Sequence, residues 1–91
     1  MSVVYPPIFE YIFTGELTPV LEERTKLIIE NITKSIAPFS LVKYFDEPIT
    51  EDKKTRTFIL ISTSNITTYL CSTFFNDCNM KLEVFYKQRV I

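Results

Sequence analysis

Two segments with helical spacing of apolar residues divide the chain, and this division limits the folds it can adopt. In residues 19–35 apolar side chains recur every three or four positions, with charged residues on the other faces. Thr18 is a favourable helix cap, Pro19 a favourable first helical residue, and Pro38 ends the pattern. Residues 66–74 repeat the spacing. We therefore expect two amphipathic helices.

Runs rich in aromatic and β-branched residues flank these helices and predict four strands. They cover residues 8–14, 39–45, 57–62 and 80–89. The third is the most apolar and is expected in the middle of the sheet. The element order is then β-α-β-β-α-β. Right-handed crossovers place both helices on one face of a four-stranded antiparallel sheet, which is the ferredoxin-like arrangement of α+β proteins.

Length and composition favour one packed domain. Ninety-one residues rarely form two cores, and 46% hydrophobic with 23% charged residues predicts a core rather than disorder. We interpret residues 1–91 as a single domain, in which residues 1–7 form an extended N-terminal arm because of Pro6-Pro7. No apolar run reaches the roughly 18 residues of a membrane span, and the N-terminus does not read as a signal peptide. A nuclear or cytoplasmic location without membrane contact is expected.

Charge is unevenly distributed along the sequence, although the net charge is only −1. Residues 1–52 hold four basic and nine acidic residues, a balance of −5. Residues 53–91 hold six basic and two acidic residues, a balance of +4. A basic second half is compatible with nucleic-acid contact.

The strand motifs resemble those of the RNA recognition motif family. Three residues fit its strand-one motif of aliphatic, aromatic, aliphatic, any residue, Asn and Leu: Ile12, Phe13 and Leu17. Three fit its strand-three motif: Lys54, Phe58 and Ile59. The sequence departs from the first motif at Thr14 and at Glu16, where Asn is usual. In the third strand it lacks both small residues of the motif, has Arg56 where an aromatic is usual, and ends in Ile61 instead of an aromatic. The resemblance covers roughly Tyr11 to Lys87. It implies single-stranded RNA binding, with Phe13 and Phe58 at the base-stacking positions.

Strand alternation predicts which side chains share the face away from the helices. Six residues are expected beneath the helices: Ile12, Thr14, Ile59, Ile61, Leu82 and Val84. Ten residues, on the opposite face or in the loop entering the third strand, are the predicted RNA- or partner-binding residues: Tyr11, Phe13, Lys43, Phe45, Lys54, Arg56, Phe58, Leu60, Phe85 and Lys87. Bases would stack on the rings for about 1–3 kcal/mol each, while the cations meet phosphate. The sequence thus predicts a small ribonucleoprotein subunit.

A protein interface is the alternative for this surface. Tyr, Phe and Arg are enriched at such interfaces, and Phe45 and Leu60 offer neither charge nor hydrogen bonds. The second hypothesis is therefore a protein–protein interaction subunit of a larger complex with no RNA contact. The oligomeric state stays open, because edge strands can pair with another chain.

Enzyme chemistry is not expected from this sequence. The chain has no histidine and two cysteines, so neither a zinc site nor an activated thiol is expected. A phosphate-cradling loop needs several glycines, and Gly15 is the single one. The segment FTGELTP also resembles part of small CRISPR-associated nucleases of this fold, but the aspartate expected at the end of their first strand is missing. We expect a non-enzymatic domain with no cofactor and no metal.

Overall fold

The computed structural model describes residues 4–34, 39–76 and 78–90, and within these ranges the chain forms six elements. These are β1 (Val4–Glu16), α1 (Pro19–Lys34), β2 (Phe39–Pro48), β3 (Lys54–Ser62), α2 (Thr67–Thr73) and β4 (Met80–Val90). The strands pair antiparallel in the order β2-β3-β1-β4. The predicted ferredoxin-like β-α-β-β-α-β fold is confirmed.

Helix α1 forms for the reasons that its sequence indicates. The backbone N–H of Leu21 donates to Oγ1 of Thr18 over 3.2 Å, which satisfies a donor that has no partner inside the helix. Leu21, Thr25 and Ile28 are buried against the sheet, in agreement with the helical spacing. The helix ends at Lys34, and the predicted terminator Pro38 lies outside the described residues.

Helix α2 is shorter than the sequence pattern predicts. Ser64, which is expected to cap it because serine is a favourable N-cap residue, does not do so. Ile66 occupies the N-cap position without a side-chain cap bond. Instead, the Ile66 N–H donates to the Tyr11 hydroxyl over 2.9 Å, and Thr67 N–H donates to Asn65 Oδ1 over 3.2 Å. A tertiary contact from β1 therefore replaces the expected local cap.

Strand β1 begins before the predicted strand and uses part of the predicted arm. Val4 and Tyr5 pair with the end of β4, and the register shifts between Tyr5 and Ile8, where Pro6 and Pro7 lie. Proline lacks an N–H for the ladder, so an irregularity is expected there. The arm prediction is wrong for residues 4–7, and residues 1–3 lie outside the described part.

The core is formed by large side chains between the two helices and one face of the sheet. Its fully buried members come from β1, β3, α1 and α2: Tyr11, Phe13, Phe58, Leu60, Leu21, Ile28, Leu70 and Phe74. The Phe75 ring follows α2 and stacks on Phe13, with centroids 3.9 Å apart and an interplanar angle of 15°. The same ring meets the edge of Phe58 at 5.5 Å. Aromatic packing thus joins α2 to both central strands.

The predicted faces of β1 and β3 are wrong. Five predicted binding residues lie on the helix side and are buried: Tyr11, Phe13, Arg56, Phe58 and Leu60. Four residues predicted beneath the helices lie on the opposite face instead: Ile12, Thr14, Ile59 and Ile61. Alternation separates two faces but does not say which one the helices cover. The face with the larger rings is covered, because it removes more apolar area from water.

The predicted faces of β2 and β4 agree with the structure. Phe45 lies opposite Thr57, and Lys43 lies opposite Ile59, which places both on the face away from the helices. Phe85 and Lys87 lie opposite Glu10 and Ile8 on that same face. Leu82 packs against the core as predicted, whereas Val84 shares its side but is exposed.

Gly15 is buried inside β1, where the neighbouring strand approaches closely. A Cβ atom there would lie 2.9 Å from Met80 Cγ and 3.0 Å from the Asn79 carbonyl oxygen. The glycine is therefore required by packing against the start of β4, rather than by a turn.

We expect Gly15→Ala to lower the free energy of unfolding by about 1–2 kcal/mol. Met80 can rotate away, but the Asn79 carbonyl belongs to the backbone and moves only with β4. Urea denaturation measures the loss, with Ser40→Ala at an exposed position of β2 as the control. Equal stability of Gly15→Ala and the control would show that the strands approach less closely here.

Candidate binding surface

Arg56 is a structural ion-pair residue and not a free cation. Its Nε and Nη2 donate to the two carboxylate oxygens of Asp46 over 2.7 and 2.9 Å. Its Nη1 donates to Glu22 Oε2 over 3.1 Å and to Thr25 Oγ1 over 3.0 Å. Its guanidinium also lies 5.4 Å from the centroid of Tyr44. The side chain therefore ties β3 to β2 and α1 from beneath the helix.

The electrostatics of this cluster follow from the paired hydrogen bonds. The Arg56 guanidinium lowers the pKa of the Asp46 carboxyl, mainly through the hydrogen bond, while burial opposes the change. Asp46 in turn raises the pKa of Arg56. The Arg56 side chain is only 9% exposed, whereas those of Asp46 and Glu22 are 31% and 49% exposed. The cation is thus the desolvated member, and contact with an external phosphate would require breaking these pairs.

Tyr11, Phe13 and Phe58 are also unavailable to a ligand. The Tyr11 hydroxyl donates to Asn65 Oδ1 over 3.3 Å and accepts from Ile66 N–H, so both polar functions of this group are used. Phe13 and Phe58 are enclosed by Phe75. The prediction that these two rings lie free for base stacking is therefore wrong. Lys54 is exposed at the start of β3, but it shares the strand parity of Arg56 and lies outside the opposite face.

The side of the sheet opposite the helices is the candidate binding surface, called the open face below. Cross-strand register assigns its members among the described residues. They are Ile8, Glu10, Ile12, Thr14, Glu16, Ser40, Lys43, Phe45, Glu47, Thr55, Thr57, Ile59, Ile61, Lys81, Glu83, Phe85 and Lys87. Four predicted site residues belong to it: Lys43, Phe45, Phe85 and Lys87.

The centre of the open face is aliphatic. Ile12 of β1 lies directly opposite Ile59 of β3, and Ile61 follows on the same side. At one end of this centre, Thr14 and Thr57 share a hydrogen bond of 3.2 Å across the strands. Ile12, Ile59, Ile61 and Thr14 are partly exposed, whereas Thr57 is buried. Branched aliphatic groups at the middle of an uncovered sheet provide apolar area to a partner rather than chemistry to a substrate.

Charged residues of both signs surround this centre on the edge strands. On β2, the Lys43 Nζ lies 5.5 Å from the centroid of the Phe45 ring. On β4, Lys81 and Glu83 form an exposed ion pair of 3.6 Å. Phe85 and Lys87 follow, and Phe85 is 43% exposed. An apolar centre with a mixed charged rim is the usual composition of a protein interface.

The described residues offer little support for catalysis or metal binding. Within them no group of three or more Cys, Asp or Glu side chains is close enough to hold a metal ion. A pocket of about 260 Å³ lies beside the start of α1, with Thr18, Cys78 and Met80 among its lining residues. Glu16 belongs both to the lining of this pocket and to the open face, whereas the isoleucines at the centre of the open face do not line the pocket. In the same part of the chain, neither helix combines the length and apolar character needed to cross a membrane.

Three isoleucines, Ile12, Ile59 and Ile61, are expected beneath the helices but lie on the open face. Ile8, Ile12, Ile59 and Ile61 alternate with Phe9, Tyr11, Phe13, Phe58 and Leu60, so the two faces of the central strands are both apolar. Side-chain size is the sequence feature that distinguishes the two faces, because rings fill the space between a sheet and two helices better than a row of isoleucines.

Comparison with known proteins supports the fold. No protein-family model matches the sequence, and no curated protein matches it. The de novo designed protein Foldit4 is similar with a TM-score of 0.56 and 10% identity, over 91% of this chain and 97% of that chain. The C-terminal domain of the MgtC protein from Mycobacterium tuberculosis gives a TM-score of 0.56 and 16% identity, over 87% of each chain.

A third similar structure is the ACT domain from the GTP pyrophosphokinase of Chlorobium tepidum. Its TM-score is 0.52 at 8% identity, over 89% of each chain. At such identities these likenesses show the shared fold alone. The chain is therefore described as a small ferredoxin-like domain with an aliphatic open face, and the resemblance to the RNA recognition motif family stays a prediction.

Proposed function

We propose that this chain is a non-enzymatic interaction module that binds a protein through its open face. The observation that carries the proposal is the partly exposed aliphatic centre formed by Ile12, Ile59 and Ile61 on the side opposite the helices. Burial of apolar area is the main favourable term in protein association, and this centre still exposes apolar area that a partner can bury.

RNA binding is the less favoured function for this face. The rings of Phe13 and Phe58 are buried, so the predicted stacking pair is lost. Phe45 and Phe85 remain, but they lie on the two edge strands with β3 and β1 between them. Three strand spacings separate them by about 14 Å across the sheet, and the two rings also lie two rows apart along the strands, which is too far for stacking of neighbouring bases. The lysines alone would give weak, salt-sensitive contact.

We expect Ile59→Lys to weaken partner binding by about 10-fold or more, because an ammonium would enter the apolar centre of the contact. The stem of lysine still covers the sheet, so the fold should persist. Leu27→Lys is the matched control, since Leu27 is a partly exposed residue of α1. The measurement is affinity capture from a lysate, followed by titration of each captured protein.

A protein retained by wild type and by Leu27→Lys, but lost by Ile59→Lys, supports the open face as the contact. Retention of every captured protein by Ile59→Lys contradicts it. Repeating the capture after nuclease digestion separates the second function, because loss of binding on digestion would indicate an RNA contact instead.

A further inference from the structure

The open face carries charges in a pattern that selects one kind of partner. We propose that the protein bound there is a second copy of this chain, packed face to face about a two-fold axis that runs parallel to the strands. This inference rests on the proposed function and names the occupant of the same surface.

The strand order determines which strands meet in such a pair. The sheet order is β2-β3-β1-β4. Rotation by 180° about an axis parallel to the strands and over the middle of the sheet places β2 above β4 of the second copy, and β3 above its β1. A two-fold interface is self-complementary, so each such contact occurs twice.

One row of the sheet places opposite charges across this interface. Cross-strand register puts four residues in one row on the open face: Lys43, Ile59, Ile12 and Glu83. In the two-fold pair, Lys43 faces Glu83 of the second copy, and Ile59 faces Ile12 of the second copy. Ile12 and Ile59, two of the three isoleucines of the apolar centre, are then buried between two cross-chain ion pairs.

The neighbouring row is complementary as well. Its members are Phe45, Thr57, Thr14 and Lys81. Phe45 therefore faces Lys81 of the second copy, which suits a cation–π contact. The apolar overlap ends at the next row, where Ile61 faces Glu10 of the second copy at the border of the contact.

Charge also disfavours a two-fold axis that crosses the strands at the Lys43 row. Such an axis places β2 above β2 of the second copy. Lys43 then faces Lys43 and Glu83 faces Glu83, so both edges carry like charges. Like-charge contacts are costly at interfaces. The strand-parallel axis is thus favoured over this strand-crossing axis.

The distances suit side chains of this length. Stacked sheets lie about 10 Å apart and cross at about 30°, which shifts an edge strand by about 4 Å along its neighbour. Lysine and glutamate side chains together span this gap, and Lys43 and Glu83 are both exposed. The open face measures about 19 by 20 Å from strand spacing and rise. This is about 380 Å² on each chain and about 760 Å² in total, which is below the roughly 1,000 Å² of a stable specific interface, so we expect a weak and transient dimer.

Charge reversal gives a direct test. Lys43→Glu and Glu83→Lys each place like charges at both edges, and each should weaken self-association by about 10-fold or more. An equimolar mixture of the two variants restores opposite charges at both edges. At one edge the new carboxylate at position 43 of one chain faces the new ammonium at position 83 of the other, and at the second edge the unaltered Lys43 and Glu83 face each other. Sedimentation velocity over a concentration series should show a wild-type dimer, two weakened variants and a mixed dimer close to wild type.

Two variants on α1 serve as controls, and two results would overturn the proposal. Glu23→Lys and Lys26→Glu reverse an exposed pair on α1 and should leave the dimer unchanged. A wild-type chain that stays monomeric up to about 0.5 mM overturns the proposal, as does a mixture that fails to restore association. If the wild-type chain is monomeric but Ile59→Lys abolishes binding of a captured protein, the proposed function stands with a different partner. If the wild-type chain is monomeric and Ile59→Lys retains every captured protein, both the dimer and the proposed function are rejected.

Discussion

Phe58→Ala is expected to lower the free energy of unfolding by about 3–5 kcal/mol. Phe58 is 0% exposed and contacts the rings of Phe75 at 5.5 Å and Tyr44 at 5.8 Å. Truncation leaves a cavity between the sheet and α2 that the aromatic neighbours cannot close. Because domains of this kind have only about 5–15 kcal/mol of stability, much of the variant should unfold in mild urea. Urea denaturation followed by circular dichroism measures the change.

Phe85→Ala is the matched control, because it removes the same ring from the open face of β4, where Phe85 is 43% exposed. We expect it to cost less than about 1 kcal/mol. The two faces therefore give opposite results for the same truncation. A fully stable Phe58→Ala together with a strongly destabilised Phe85→Ala would show that the helices cover the other side.

Arg56→Met is expected to lower the free energy of unfolding by about 2–3 kcal/mol at neutral pH. The variant keeps an unbranched chain beneath α1 but leaves the Asp46 carboxylate, and also Glu22 and Thr25, without their donor. Asp46 and Glu22 are partly exposed, so water compensates for some of the loss and the cost stays below that of a fully buried pair. Thermal and urea unfolding both measure it.

The same ion pair gives a pH dependence of defined sign. Because the pKa of Asp46 is lowered in the folded state, its contribution is present above the ordinary value of 3.8. It is lost as the pH falls through the folded pKa. The stability difference between wild type and Arg56→Met should therefore shrink below about pH 4. Lys34→Met, which removes an exposed pair on α1, is the control and should change stability little. A difference that is constant with pH would exclude Asp46 as the main partner.

The element order could be predicted from the sequence because its signals are local. Thr18 and Pro19 mark the start of α1, and apolar spacing marks its buried face. The start of β1 and the cap of α2 could not be predicted in this way. Both depend on partners distant in sequence, namely β4 for Val4 and the Tyr11 hydroxyl for Ile66.

The sequence indicates which face is buried for the edge strand β4, but not for the central strands β1 and β3. On β4, Leu82 alternates with Glu83, so one side is marked as polar and the assignment is correct. On β1 and β3, Phe13 alternates with Ile12 and Phe58 with Ile59, so alternation marks no side. When a strand is apolar on both faces, side-chain volume and helix packing determine which face the helices cover.

Arg56 shows why a motif position does not transfer a role by itself. In the sequence it stands two residues before Phe58, at a motif position where an aromatic is usual, and suggests a cation for phosphate. The partners that occupy it, Asp46 and Glu22, lie 10 and 34 residues away and become neighbours only in the fold. The acidic first half of the chain supplies both of these carboxylates.

The most direct test of the central claim is solvent paramagnetic relaxation by nuclear magnetic resonance on dilute protein labelled at isoleucine methyl groups and phenylalanine rings. A soluble paramagnetic probe should strongly relax the methyl groups of Ile12, Ile59 and Ile61, while the rings of Phe13 and Phe58 stay as protected as the buried Ile28. Strong relaxation of those two rings, with protected methyl groups at 12, 59 and 61, would contradict the open face as the contact surface.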